Sequence, residues 1–285
     1  MNKSTLTPSG HRAKKRFGQN FLVDEGIIRL IVRSVYPQET DHIVEIGPGQ
    51  GAITGLLLDA CPRLQAIELD RDLMPVLLAQ FAKYKDFKIH QSDALNFDFR
   101  QLLENLKSKD ESNAKLRIVG NLPYNISTPL IFHLLTHRDI IADMHFMLQK
   151  EVALRLAAKP GDKNYGRLSI MAQYYCAIEN LFDVPPTSFH PAPKVDSAIV
   201  RLSPYTELPH PAQNIDNVEL LVRTAFAQRR KTLRNALKTL IDTDQAENIN
   251  LDLSLRAENI SLEQYVSVAN ALWGENSGHQ DNSDT

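Results

Sequence analysis

Three glycines within five residues, Gly47-Pro48-Gly49-Gln50-Gly51, separate a short apolar run from a stretch of helical periodicity. Glycine reaches backbone conformations closed to other residues, so a chain can turn tightly there and approach a ligand beside a helix N-terminus. Strand, glycine turn and helix together are the opening unit of a parallel α/β sheet. The rest of the chain repeats the alternation. Helices are expected over 24–36, 53–58, 73–81, 129–135, 152–157 and 167–175, and strands over 42–46, 64–69, 87–91, 116–119, 144–148, 178–183 and 195–202. Alternation of this kind implies a mostly parallel sheet with helices on both faces, whose ligands bind beyond the carboxyl ends of the strands. From about Pro204 the pattern becomes purely helical, over 218–226, 229–240 and 262–273.

Charge matters here by its distribution. The net charge over 285 residues is −2, yet no acid precedes Asp24, where Lys3, Arg12, Lys14, Lys15 and Arg16 lie. No acid falls between Glu219 and Asp242, a segment holding Arg223, Arg229, Arg230, Lys231, Arg234 and Lys238. Two acid-free basic segments suit a phosphate backbone; solvated basic surfaces are the alternative. Cys61 and Cys176 lack metal-ligand spacing and sit among apolar residues, which predicts buried, inert thiols and fits a reducing cytoplasm. The scattered histidines predict no metal site. No apolar run approaches the roughly 20 residues of a membrane helix, and the basic N-terminus has no following apolar stretch to make it a signal peptide.

The glycine run, with Ala52, satisfies the G-x-G-x-x-A form of a dinucleotide site. Glu68 closes the second strand, where a carboxylate accepts hydrogen bonds from both hydroxyls of a ribose; Asp70 competes for that role. Asp93 follows the third strand and can accept from an adenine amine, or simply cap a turn. Asp93 tilts the choice of cofactor from NAD, for which no hydride-transfer constellation is visible, towards S-adenosylmethionine.

Asn121-Leu122-Pro123-Tyr124 follows the fourth strand. An adenine amine is a poor nucleophile because its lone pair is delocalised into the ring. Two acceptors on its N–H groups favour a pyramidal nitrogen and stabilise the charge that develops as a methyl arrives. The Asn121 side-chain oxygen and the Leu122 carbonyl can supply them, with Pro123 restricting the backbone. Tyr124 offers a face for the base to stack on, a contact worth roughly 1–3 kcal/mol. A simple turn is the alternative reading of the tetrapeptide.

With these residues in place, the sequence resembles the ribosomal RNA adenine dimethyltransferases, from about Arg16 to Trp273. The resemblance rests on Lys15-Arg16-Phe17-Gly18-Gln19-Asn20-Phe21-Leu22, on Glu45 to Gly51, on Asn121-Leu122-Pro123-Tyr124-Asn125-Ile126-Ser127 and on Met147 to Glu151. It also rests on Pro193-Lys194-Val195-Asp196-Ser197 and Phe226-Ala227-Gln228-Arg229-Arg230-Lys231-Thr232-Leu233. It implies a Rossmann-like, seven-stranded class I methyltransferase domain with a small all-helical C-terminal domain. The implied division is a basic arm over 1–23, a methyltransferase domain using S-adenosylmethionine over 24–204, a helical RNA-binding domain over 205–274 and a disordered tail over 275–285.

The implied activity is dimethylation of two adjacent adenosines in the 3′-terminal hairpin loop of 16S ribosomal RNA, within the immature 30S subunit, by a cytoplasmic monomer. A related enzyme acting on one adenosine of large-subunit RNA is the alternative. The resemblance further implies that Asn20 and Leu22 contact the cofactor with Gly47, Gly49, Glu68, Asp93 and Asn121. It suggests that Phe189 holds the flipped base opposite Tyr124, with a core or rim aromatic as the alternative. RNA contacts are expected at Arg16, Arg223, Arg229, Arg230, Lys231 and Arg234.

Overall fold

The computed structural model describes residues 19–107 and 113–274. The expected arm up to residue 18, with Arg16, and the tail from 275 lie outside the described residues. The elements run β1 (Phe21–Leu22), α1 (Glu25–Val35), β2 (His42–Ile46), α2 (Thr54–Ala60), β3 (Gln65–Glu68), α3 (Met74–Gln80), β4 (Lys88–Gln91), α4 (Phe99–Leu106), β5 (Leu116–Asn121), α5 (Ser127–Leu135) and β6 (Ile141–Gln149). There follow α6 (Lys150–Leu156), α7 (Arg167–Tyr175), β7 (Cys176–Val184), β8 (Phe189–His190) and β9 (Ser197–Pro204), then α8 (Ile215–Ala227), α9 (Leu233–Ala236), α10 (Thr243–Asn248) and α11 (Leu262–Trp273).

Seven strands form one sheet in the order β4-β3-β2-β5-β6-β9-β7. Neighbours from β4 to β6 pair in parallel, and β9 runs antiparallel to β6. The strand order changes direction between β2 and β5, a topological switch point at which the connecting segments part and leave a crevice. All five residues of β2 are buried, as a strand covered on both faces requires.

Local chemistry accounts for α1. The Asp24 carboxylate accepts from the backbone N–H groups of Gly26 and Ile27, at 2.9 and 3.2 Å, and satisfies two otherwise orphaned donors. Ile28, Ile31 and Val35, at helical spacing, are buried. The helix ends at Tyr36 in the left-handed conformation. Arg117, on β5, donates to the Val35 and Tyr36 carbonyls while bridging Asp143, on β6, and Asp41. One guanidinium thus ties the end of α1 to two central strands. Burial alone would raise the Asp143 carboxyl, but the nearby His145 ring and the hydrogen bonds and charge of Arg117 outweigh it and hold it below the usual carboxylate range.

The chain divides into two compact units. The first holds the residues through Ala153 together with Ala177–Pro204, and the second holds Leu154–Cys176 together with the chain from Tyr205 onward. The break after Pro204 lies where the sequence pattern changes. The expectation that all of 24–204 forms one domain does not hold for Leu154–Cys176. In α7, Ile170 and Tyr174 join Tyr165 in the second unit's core with Val218, Leu221 and Tyr265. Periodicity reveals the apolar face of a helix but not the partner that covers it.

The expected helix over 229–240 also differs. Arg229, Arg230 and Lys231 lie in a turn, and α9 spans four residues. The main-chain N–H groups of Leu233 and Arg234 donate to the carbonyls of Leu255 and Leu253, which draws this stretch into a tertiary path. Cys61 and Cys176 are buried free thiols, and burial pushes the Cys176 thiol up to about 12.

Candidate active site

The ends of β2, β3, β4 and β5 open on one cavity in the first unit. Its walls include Gly47 and Gly49, Glu68, Asp93, the tetrapeptide Asn121–Tyr124, and Asn20 and Leu22 from the segment leading into and through β1. Residues from distant parts of the chain meet because parallel strands discharge their carboxyl ends on the same edge of the sheet.

The glycine turn is shaped by backbone conformation and by space. Gly47, Gly49 and Gly51 all have positive φ, at 67°, 59° and 81°. At Gly51 an added Cβ would lie 2.6 Å from the Phe81 ring, so both strain and contact exclude a side chain. The Glu68 carboxylate accepts from the Gly49 N–H at 3.2 Å and from the Asp70 N–H at 2.8 Å. An ionised carboxylate has about four acceptor sites, so acceptor capacity remains for ribose hydroxyls. Burial raises the Glu68 carboxyl, against hydrogen bonds from Asp70 and Gly49 that lower it. Asp70 accepts from the Gln19 side chain at 3.1 Å and does not line the cavity, which leaves Glu68 as the better ribose candidate.

Asp93 lies just beyond the end of β4. It lines the cavity and also caps a short helical turn, accepting from the Leu95 N–H at 3.0 Å and the Asn96 side chain at 3.3 Å.

At the end of β5 the Asn121 side chain donates from Nδ2 to the Asn20 carbonyl, 3.2 Å away. A carbonyl can only accept, so this contact requires the amide nitrogen to face Asn20 and makes Oδ1 the remaining acceptor. The Leu122 N–H donates to the Met147 carbonyl at 3.2 Å. That bond continues the β5–β6 pairing one residue past the strand end and fixes the Asn121–Leu122 peptide. The Pro123 carbonyl accepts from the Ile126 N–H at 3.1 Å, so a turn over Pro123–Ile126 begins within the tetrapeptide. Tyr124 is partly exposed, and its hydroxyl lies 3.0 Å from the Ser197 hydroxyl.

Phe189 falls elsewhere. It is 5% exposed, packs in the core with Phe21 and Leu22, and pairs with Leu22 across the β1–β8 ladder. It does not line the cavity, so the core alternative describes its position.

Two participants were not singled out from the sequence. Gln19 reaches Asp70 and lines the cavity. Glu45 is 1% exposed, accepts from the Thr54 hydroxyl at 2.7 Å and also lines the cavity. An acid inside the apolar run 42–46 was the signal for Glu45; Gln19 gave none.

The basic candidates lie in the second unit. Arg223, Arg230, Lys231 and Arg234 are exposed. Arg229 is exposed too, but it pairs with Glu258 at 2.8 Å and donates to the Lys163 carbonyl at 2.5 Å. Among the described residues no group of three or more His, Cys, Asp or Glu side chains could hold a metal ion, and no helix is long and apolar enough to cross a membrane.

A seven-stranded sheet of this order, with a glycine turn after its first long strand and acids after the next two, defines a class I methyltransferase. Within that class the chain belongs to the ribosomal RNA adenine dimethylases, whose family model matches residues 10–273. The chain is thus an enzyme of methyl transfer, and its substrate is ribosomal RNA. A ribosomal RNA small subunit methyltransferase A from Saccharophagus degradans is 63% identical over 272 residues, which are 95% of this chain and 99% of that protein. The protein of the same name from Pseudomonas aeruginosa is 56% identical over 262 residues, 92% of this chain and 95% of that one. Among solved structures, a dimethyladenosine transferase from Plasmodium falciparum superposes with a TM-score of 0.71 at 26% identity, over 87% of this chain and 95% of that one.

Proposed function

We propose that the enzyme uses S-adenosylmethionine to dimethylate the N6 amines of two adjacent adenosines in the 3′-terminal hairpin loop of 16S ribosomal RNA, in the assembling 30S subunit. The curated relatives named small subunit methyltransferase A support the choice of subunit. Assembly of ribosomal subunits puts the enzyme in the cytoplasm. Every group invoked below comes from one chain, so a monomer suffices.

The cavity fits the cofactor. Its turn of positive-φ glycines allows close approach, Glu68 retains acceptor capacity for the ribose, and the carboxylate of Asp93, a residue of the cavity wall, can accept from an adenine amine. Asn20 and Leu22 line the same space. When bound, S-adenosylmethionine supplies an electrophilic methyl group on a sulfonium.

The single observation carrying the mechanism is the tether from Asn121 to the Asn20 carbonyl. It leaves Asn121 Oδ1 free to accept from the target amine, while the Leu122 carbonyl takes the second N–H. These acceptors favour the pyramidal nitrogen and stabilise its developing positive charge. S-adenosylmethionine, held by Asn20, Leu22, Gly47, Gly49, Glu68 and Asp93, would supply its methyl group to the lone pair of the amine that Asn121 and Leu122 hold. The alkylated amine is strongly acidic and gives its proton to water, so no strong base is needed. A base inside a helix must leave its stack to reach such a pocket, and Tyr124 gives it a face to stack on. The basic residues of the second unit supply phosphate contacts, led by Arg223, Arg230, Lys231 and Arg234.

The test is methyl transfer from labelled cofactor to unmethylated small-subunit particles, followed by nucleoside analysis. Dimethyladenosine at two adjacent positions of the 16S RNA is the expected product. Label confined to large-subunit RNA, or monomethyladenosine as the end product, would overturn the proposal.

A further inference from the structure

The run Pro193-Lys194-Val195-Asp196-Ser197 has no part in the chemistry described so far, yet its last residue lies against the base site. Ser197 opens β9 and pairs with Gln149 on β6. Ile199, two residues on, lines the cavity, and alternate residues of a strand share a face. Ser197 is fully buried. A buried hydroxyl needs a hydrogen-bond partner, and here the Tyr124 hydroxyl, at 3.0 Å, provides it.

We propose that Ser197 is a positioning residue whose hydroxyl, bonded to that of Tyr124, holds in place the far end of the ring on which the target adenine stacks. The inference rests on the reading of Tyr124 as the stacking platform. A tyrosine ring held only at its Cβ turns about two side-chain torsions. A bond at the far end of the ring, to a residue fixed in the sheet, restrains the first, which swings the whole ring away from the site; the second spins the ring about an axis through that same oxygen. The Tyr124 main chain is held separately, since its carbonyl accepts from the Ser127 hydroxyl at 3.3 Å. This gives the phenol oxygen a task that a phenylalanine could not perform. The task matters most for the second methyl, because the bulkier monomethylated amine must be seated again with its remaining N–H on an acceptor.

The test is a double-mutant cycle on the intact enzyme, read by single-turnover methyl transfer to small-subunit particles. Ser197→Ala and Tyr124→Phe are each expected to slow transfer by roughly 3- to 10-fold, the range of one neutral hydrogen bond. Both should raise the ratio of monomethyl- to dimethyladenosine and leave cofactor affinity unchanged. In the Tyr124→Phe background, Ser197→Ala should have no further effect, because the bond is already absent. Additive losses would overturn the proposal, and so would a loss in Tyr124→Phe with none in Ser197→Ala, which would put the phenol oxygen to work on the substrate itself. Tyr124→Ala separates the two readings: full activity there sinks the stacking platform, whereas a deep loss there with an unaffected Ser197→Ala sinks only the role of Ser197. Circular dichroism of each variant guards against misfolding.

Discussion

Glu45→Gln exposes the cost of an acid in the middle of a sheet. Glu45 is 1% exposed on β2 and has the Thr54 hydroxyl as a partner. Burial pushes its carboxyl from 4.5 up to about 8, with the Thr54 bond acting against the rise and the Glu68 charge adding to it. The sign follows from proton binding. Between those two values the folded chain holds a proton that the unfolded chain releases, so stability falls as pH rises. Each tenfold in proton affinity is worth about 1.36 kcal/mol. Over pH 5 to 8 the wild-type should therefore lose roughly 3 kcal/mol through this one group. Glutamine keeps the shape and an acceptor for Thr54 but cannot ionise. Urea denaturation followed by circular dichroism at pH 5, 6, 7 and 8 measures the difference between the two proteins, which cancels the other titrating groups. The variant should gain on the wild-type steadily up to pH 8. Curves that move in parallel across this range would refute the reasoning.

Asn121→Ala should lower methyl transfer by at least about 100-fold, as loss of a transition-state acceptor does, with an unchanged circular dichroism spectrum. Gly51→Ala forces a side chain into a positive-φ position against Phe81; a backbone cost of about 1–3 kcal/mol should appear as a lower melting temperature and weaker cofactor binding by calorimetry. Arg117→Ala strands Asp143, Asp41 and the end of α1, and should cost about 3–5 kcal/mol in urea unfolding. Neutralising Arg230 and Lys231 together should reduce the slope of log affinity for RNA against log salt by about 2, whereas Arg229→Ala, which breaks the Glu258 pair, should also lower stability.

The framework of the site was readable in one dimension because its parts are local. A glycine turn, an acid at a strand end and a tetrapeptide after a strand each declare themselves within a few residues, and the alternation of elements brings their strand ends to one edge. Even α4, not anticipated, carried its signals: Asp98 as cap and Phe99, Leu102 and Leu103 at helical spacing. Other features depend on residues far apart in sequence. The Asn20–Asn121 tether spans 101 positions and the Tyr124–Ser197 bond 73. Neither has a local pattern, since a side-chain hydrogen bond leaves no periodicity.

Phe189 shows the limit most plainly. The sequence marks an aromatic before a proline-rich run, but whether it faces the base or the core depends on β8 pairing with β1. The same holds for α7, whose apolar face was evident and whose partner was not. Residue type and spacing therefore established the chemistry available to this chain and the edge of the sheet where it gathers. Packing decided which way the Asn121 amide is turned, which aromatic is buried and which unit owns each helix, because these depend on what covers a surface once the chain has closed on itself.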